Sequence, residues 1–145
     1  MNDRKTTRTL ERELLETDSR EELNAYLKAL KETPAHTSFR EYFFGLEKVR
    51  TKDEAEIRKG SGIERTYYSH IRDGSKHPGR DKVLRLCLSA GLSPDETRRA
   101  LEAAGLPVLY AKSRRDAVLS FCLQRHLSVI DTDLLLENYH LEPLR

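Results

Sequence analysis

Six short patterns that begin helices constrain the fold of this chain more than any other feature. In each, a Ser or Thr is followed three residues later by an acid and then by an apolar-periodic segment; the pairs are Ser19/Glu22, Ser38/Glu41, Thr51/Glu54, Ser93/Glu96, Ser113/Asp116 and Ser128/Asp131. The hydroxyl accepts from the N–H of the third helical residue, and the carboxylate accepts from the N–H of the capping residue. With no strand-like alternation or hairpin dipeptide elsewhere, the patterns predict an all-α fold.

The helix breakers set the expected helix bounds. Gly91, Gly105 and Pro107 end helices, while Pro94 stands at a first helical position, where its missing N–H is not needed. The predicted helices cover residues 9–16, 20–31, 39–49, 52–59, 64–72, 80–90, 94–104, 114–126 and 129–138.

Charge is distributed unevenly along a chain whose net charge is only +2. Residues 58–82 hold seven basic and three acidic side chains, whereas residues 9–32 hold four basic and seven acidic ones. A basic centre beside an acidic N-terminal arm favours one surface for an anionic polymer such as nucleic acid.

Other function classes find little support in the residues. No apolar run approaches the ~20 residues that span a bilayer, and the N-terminus has no apolar signal segment, so we expect a cytoplasmic protein with no membrane partner. Cys122 and His126 stand at i, i+4, a spacing for which we favour packing over a metal site. No nucleophile elbow is present, and Arg65 stands where a phosphate loop needs its third glycine. We expect no metal, no cofactor and no enzymatic activity.

The apolar residues are expected to form a core. Cys87 and Cys122 lie in apolar segments without a C-x-x-C pattern, so we expect buried free thiols in a reducing compartment. Core packing is also favoured over a stacking platform for four aromatic residues, Tyr26, Tyr42, Phe43 and Phe44. The helix at residues 114–126 is apolar on nearly every side, which indicates a central core helix. A dimer seam using Leu134, Leu135 and Leu136 is the alternative.

A helix-turn-helix pattern occupies residues 51–88. Gly60 and Gly62 stand between two short predicted helices, and the second helix carries polar side chains that can reach base edges. Residues 38–104 resemble the Xre-type helix-turn-helix family, relatives of Cro and the lambdoid phage repressors. Gly62 stands at the turn glycine of that family, and Ile63 and Ile71 stand at the apolar positions under its recognition helix.

The resemblance implies a compact helical bundle built on a five-helix repressor-like domain, which places one helix in the major groove. The flanks are similar to those of short bacterial members with extra terminal helices. On this basis the chain divides into an N-terminal helical arm at residues 1–37, a helix-turn-helix domain at residues 38–106, and a C-terminal helical extension at residues 107–145 that packs on the same core.

The resemblance also assigns contacts to DNA. The side chains that would face base edges are Arg65, Thr66, Tyr67 and His70. Those that would contact phosphate are Lys52, Ser69, Ser75, Lys76, His77 and Arg80. Arg65 could bond guanine O6 and N7, a contact worth ~1–3 kcal/mol of discrimination. The free N–H groups where the helix near Lys52 begins are expected to bind a further phosphate.

Two hypotheses about function remain open from the sequence. The first is a sequence-specific transcriptional regulator that binds double-stranded DNA, as a homodimer because one helix reads only a few base pairs. The second is a helical adaptor that kept the fold and binds a protein partner. Three departures from the family pattern favour the adaptor: Arg58 and Ser61 replace apolar residues, and Glu54 replaces a common Gln.

Overall fold

The computed structural model describes residues 20–31 and 37–145. Every regular element within these ranges is a helix and none is a strand, which confirms the all-α prediction. The helices are α1 (Arg20–Lys31), α2 (Phe39–Gly45), α3 (Glu47–Arg50), α4 (Glu54–Ser61), α5 (Arg65–Asp73), α6 (Arg80–Ala90), α7 (Pro94–Ala103), α8 (Arg114–Gln124) and α9 (Val129–Asn138).

The chain divides into two units between Thr37 and Ser38. In the first unit the structure describes α1, where Leu23 and Leu27 stand one turn apart and are exposed. The helix predicted at residues 9–16, the cap predicted at Ser19 and the side chain of Tyr26 lie outside the described residues. The second unit contains α2 to α9.

Serine caps begin four of the helices in the second unit, as predicted. Their hydroxyls accept from the third helical N–H at 3.1–3.3 Å, and the capping residues are Ser38, Ser93, Ser113 and Ser128. At Ser93 the bond is reciprocal, because Glu96 Oε1 accepts from the Ser93 N–H at 2.8 Å. At Ser113 it is not, because the Asp116 carboxylate binds elsewhere.

Two predicted helices differ from the structure, one in where it begins and the other in its continuity. Asp53, not Thr51, caps α4 by accepting from Ala55 N–H at 3.1 Å, while the Thr51 hydroxyl donates to Glu47 O at 2.8 Å. The first turn of α4 therefore starts at Glu54. The single helix predicted at residues 39–49 is also wrong: Leu46 is extended, with φ −67° and ψ 136°, and separates α2 from α3.

The core of the second unit surrounds α6, which packs against α4, α7, α8 and α9. Its buried side chains point in several directions and are Val83, Leu84, Leu86, Cys87, Leu88 and Ala90. Both cysteines are buried free thiols, and burial raises the pKa of Cys87 to about 12. Because α6 is covered by helices on several sides, Leu84, Leu86 and Leu88 can all be buried although they point in different directions.

Aromatic contacts connect α2 to α5. The rings of Phe39 and Phe43 stack at 5.4 Å, and Phe44 meets the ring of Tyr68 edge-on at 6.0 Å. Phe43 is fully buried, while Tyr42 and Phe44 are half-buried against the core, which confirms these three as packing residues. These contacts determine which face of α5 turns outward.

Candidate nucleic-acid interface

The connection between α4 and α5 is short and firmly held. Gly62 has φ +71°, and a Cβ at this position would lie 2.8 Å from Arg85 Nη1. The same Nη1 donates to Ser61 O at 3.1 Å and so ties the connection to α6. Positive φ together with a crowded Cβ position accounts for glycine here.

Ser61 is fully buried and satisfied by local hydrogen bonds. Its hydroxyl donates to Arg58 O at 2.7 Å and accepts from the Ile63 N–H at 3.1 Å. The serine therefore satisfies two backbone groups at the place where α4 ends, groups that an apolar side chain would leave unpaired. Arg58 is half-buried rather than enclosed.

Two buried side chains hold α5 against the core, Tyr68 and Ile71, which are 2% and 1% exposed. Burial is the main cause that raises the pKa of Tyr68 to about 12. Successive residues of a helix point about 100° apart. Away from Tyr68 and Ile71, α5 therefore presents polar side chains, and we define its outward face as Arg65, Thr66, Ser69 and His70, with the exposed Asp73 at its C-terminal end; of the four, only His70 is half-buried.

This outward face differs in two residues from the expected base contacts. Tyr67 is half-buried at the side of α5, where Lys82 Nζ lies 5.2 Å from the centroid of its ring. Ser69, which we expected beside phosphate, stands between Thr66 and His70 on the outward side. Helical periodicity accounts for both shifts, because Tyr67 stands four residues before the buried Ile71 and so on nearly the same side of the helix, whereas Ser69 stands three residues after Thr66 on the outward side.

The segment after α5 folds back along the end of that helix. The Lys76 N–H donates to His70 O at 3.1 Å, and the Ser75 N–H donates to Asp73 Oδ1 at 2.8 Å. Ser75, Lys76 and His77 are all exposed. The backbone bonds keep this basic segment beside the outward face of α5.

Two side chains expected to contact phosphate have partners within the protein. Arg80 donates to both carboxylate oxygens of Asp116 at 3.0 and 2.8 Å, and also to Pro107 O and Val108 O. Lys52 Nζ donates to Ala90 O, where α6 ends. The expectation for Arg80 is therefore corrected, because its guanidinium is held by Asp116 and by two backbone carbonyls. Lys52 also has a structural contact, at the end of α6, and its contact with phosphate stays a prediction.

Acidic side chains near α5 also have partners. Glu54 forms an ion pair with Arg72. Glu64 accepts from the Thr66 and Tyr67 N–H groups at 3.1 Å each, and these backbone hydrogen bonds hold the pKa of Glu64 below its ordinary value. The first amides of α5 are therefore satisfied internally, as Asp53 satisfies Ala55 N–H in α4. The expectation that the beginning of α4 binds phosphate through free amides is corrected accordingly.

Local signals in the sequence did not reveal the Arg80–Asp116 pair. Asp116 is 6% exposed and accepts a further bond from Tyr110 N–H at 2.9 Å. The only local signal was the spacing of Ser113 and Asp116, which predicted a bond between neighbours. The partner stands 36 residues away.

Comparison of the chain with models of protein families, with curated proteins and with solved structures found no match. Among the described residues, no group of three or more His, Cys, Asp or Glu is arranged to hold a metal ion. None of the described helices is long and apolar enough to cross a membrane. The function therefore has to be inferred from the surface of α5 and its neighbours.

Proposed function

We propose that this protein is a sequence-specific DNA-binding regulator that reads the major groove of duplex DNA with α5. The outward face of α5 carries the proposal. It presents an arginine, two hydroxyls and an imidazole from a helix whose opposite side is fixed by Tyr68 and Ile71. These groups can donate to or accept from base edges, and the major groove, ~12 Å wide, admits one helix.

The residues of the outward face would have distinct roles. Arg65 bonds guanine through O6 and N7, and Thr66 contacts a thymine methyl group or a base edge. Ser69 and His70 extend the contact by one turn. Lys76, with Ser75 and His77 beside it, contacts phosphate and sets the position of the helix without reading sequence.

The local charge also supports this proposal. Arg65 and Lys76 are exposed, and neither side chain forms an ion pair among the described residues. The pairing of Glu54 with Arg72 reduces the repulsion that a free carboxylate would exert on phosphate. The α5 surface therefore keeps cations that can release counterions from DNA.

Selection from a random duplex library tests base reading directly. The enriched sequence is compared with a scrambled duplex, using the parent protein, Arg65→Ala and Arg99→Ala. Arg99 is the matched control because it is exposed on α7, in a different element. We expect Arg65→Ala to lose about 5- to 150-fold in affinity for the selected site and little for the scrambled one, the fold-change that ~1–3 kcal/mol represents. Equal losses on both duplexes, or no enriched sequence, would contradict base reading by Arg65.

Binding of a protein partner is the second candidate function. The surface at residues 108–139 favours it, because the exposed large apolar side chains of the second unit all lie there. Pull-down after nuclease treatment would distinguish the adaptor from the DNA-binding regulator. It compares the parent with Ile130→Ser, a variant that changes this apolar surface. Capture of a partner by a protein that binds no duplex at low salt would favour the adaptor over the regulator.

A further inference from the structure

Exposed apolar side chains of the second unit are confined to its C-terminal third. From Ser38 to Pro107, all within the described residues, no large apolar side chain is exposed. Between 108 and 139 there are six, namely Val108, Tyr110, Phe121, Ile130, Leu134 and Tyr139. Three of them stand on α8 and α9, which follow each other in the chain and pack together.

The exposed side of α8 is apolar and basic. Phe121 is 44% exposed, and the guanidinium of Arg125, which directly follows the helix, lies 4.8 Å from its ring centroid. Arg114, where α8 begins, is exposed as well. The only acid of α8, Asp116, is buried in its pair with Arg80, so the exposed side carries positive charge alone.

The exposed side of α9 is apolar and acidic. Ile130 and Leu134 stand one turn apart and are 73% and 54% exposed. Asp131 and Glu137 flank them on the exposed surface, and α9 contains no Lys or Arg. The predicted seam is corrected here: Leu136 is fully buried and Leu135 half-buried, while Ile130 joins Leu134 on the exposed side.

We propose that this α8–α9 surface binds a second copy of the chain. The two helices are opposite in charge and both apolar, so α8 of one copy fits α9 of the other, and a two-fold axis makes the contact twice. Antiparallel packing brings Arg114 towards Glu137 and Arg125 towards Asp131, while Phe121 meets Ile130 and Leu134. Apolar contact supplies attraction, and charge complementarity determines the pairing.

Charge reversal tests this interface with variants that preserve the fold. Arg114→Glu places an acid where α8 begins, and Glu137→Lys places a base in the last turn of α9. Helix dipoles favour both changes. Sedimentation without DNA is run on the parent, on each variant, on their equimolar mixture, and on Ile130→Ser with Tyr110→Ser as the exposed control. Circular dichroism confirms that each variant is folded.

We expect a dimeric parent. Each charge variant alone should dimerise at least about ten-fold more weakly, since like charges then face each other in both contacts. In the equimolar mixture, the affinity of the dimer should recover to within about three-fold of that of the parent, because both contacts again pair opposite charges. Ile130→Ser should weaken dimers, and Tyr110→Ser should not.

A parent that stays monomeric up to roughly 100 μM would overturn the proposal. So would a dimer that both charge variants leave intact, because another surface would then be responsible. Since the measurement contains no DNA, either result is independent of the proposed function.

Discussion

At the scale of single residues, the pair formed by Arg80 and Asp116 determines how α6 and α8 are held together. Burial disfavours the ionised form of Asp116, but the hydrogen bonds from Arg80 and from Tyr110 N–H outweigh it and keep the pKa of Asp116 below its ordinary value. The same guanidinium binds Pro107 O and Val108 O, which fixes the segment between α7 and α8.

Removing this charge should destabilise the protein in a pH-dependent way. We expect Asp116→Asn to lower the free energy of unfolding by about 2 kcal/mol at neutral pH, less than for a fully buried pair because Arg80 is 23% exposed. Since the pKa is lower in the folded state, this contribution is present above the unfolded value, about 3.9, and is lost as pH falls through the folded value.

Urea unfolding at several pH values measures the effect of Asp116→Asn. The difference between parent and variant should stay constant above about pH 5 and shrink below about pH 4. Glu41→Gln is the control, because Glu41 holds the equivalent position after the Ser38 cap of α2 and is exposed. A difference that grows in acid would contradict the assignment.

His126 occupies a backbone conformation that histidine adopts at a cost. It has φ +56°, where its N–H donates to Leu123 O at 3.2 Å and the next N–H, of Leu127, donates to Cys122 O at 3.0 Å. These two backbone hydrogen bonds form a Schellman motif, and the residue in its left-handed position is most often glycine. We expect His126→Gly to raise the free energy of unfolding by about 0.5–1 kcal/mol. His77→Gly, at an exposed position without positive φ, should not raise it when both are measured by thermal unfolding.

At the scale of elements, the connection from α4 to α5 depends on the buried Ser61, whose hydroxyl bonds two backbone groups. Loss of the hydroxyl in Ser61→Ala leaves the buried Ile63 N–H without an acceptor. We expect a loss of about 1–3 kcal/mol in unfolding free energy. Ser69→Ala, exposed on α5, should change it little. If Ser61→Ala is neutral in urea unfolding, the hydroxyl does not support the turn.

The sequence predicted those elements whose ends depend on neighbouring residues. The bounds of α6 and α9 agree with the structure, the reciprocal cap forms at Ser93, and at Ser128 the hydroxyl bond alone forms. Competing caps explain a failure: Thr51 and Asp53 stand two residues apart, and the carboxylate prevails. The pattern around Leu46 contained no breaker other than Gly45, so the separation of α2 from α3 was not foreseen.

The candidate site was predictable only where helical periodicity determines it. Arg65, Thr66 and His70 lie on the outward face of α5, and Lys76 is exposed beside it; their contacts with DNA stay predictions. Arg80 and Lys52 were indistinguishable from surface cations in the sequence, because their partners, Asp116 and Ala90 O, are 36 and 38 residues away. Tertiary contacts at such separations leave no local pattern.

At the scale of the whole molecule, α6 lies between two surfaces of different chemistry. On one side it packs against α4 and, through Arg85, holds the connection that precedes α5 and its polar face. On the other it packs against α8 and α9, whose exposed sides are apolar and oppositely charged. In the two proposals made above, one surface binds DNA and the other binds the second copy, which together would allow two half-sites about one helical turn apart to be read.

The salt dependence of duplex binding tests the central claim most directly. Affinity for a random duplex is measured over a salt series for the parent, Lys76→Ala and Lys112→Ala, the last an exposed lysine between α7 and α8. We expect the parent to bind, and Lys76→Ala to weaken binding and flatten the slope of log affinity against log salt by about one unit, while Lys112→Ala follows the parent. A folded parent that binds no duplex at low salt would contradict DNA binding by this protein. Equal slopes for Lys76→Ala and the parent would contradict the phosphate contact beside α5.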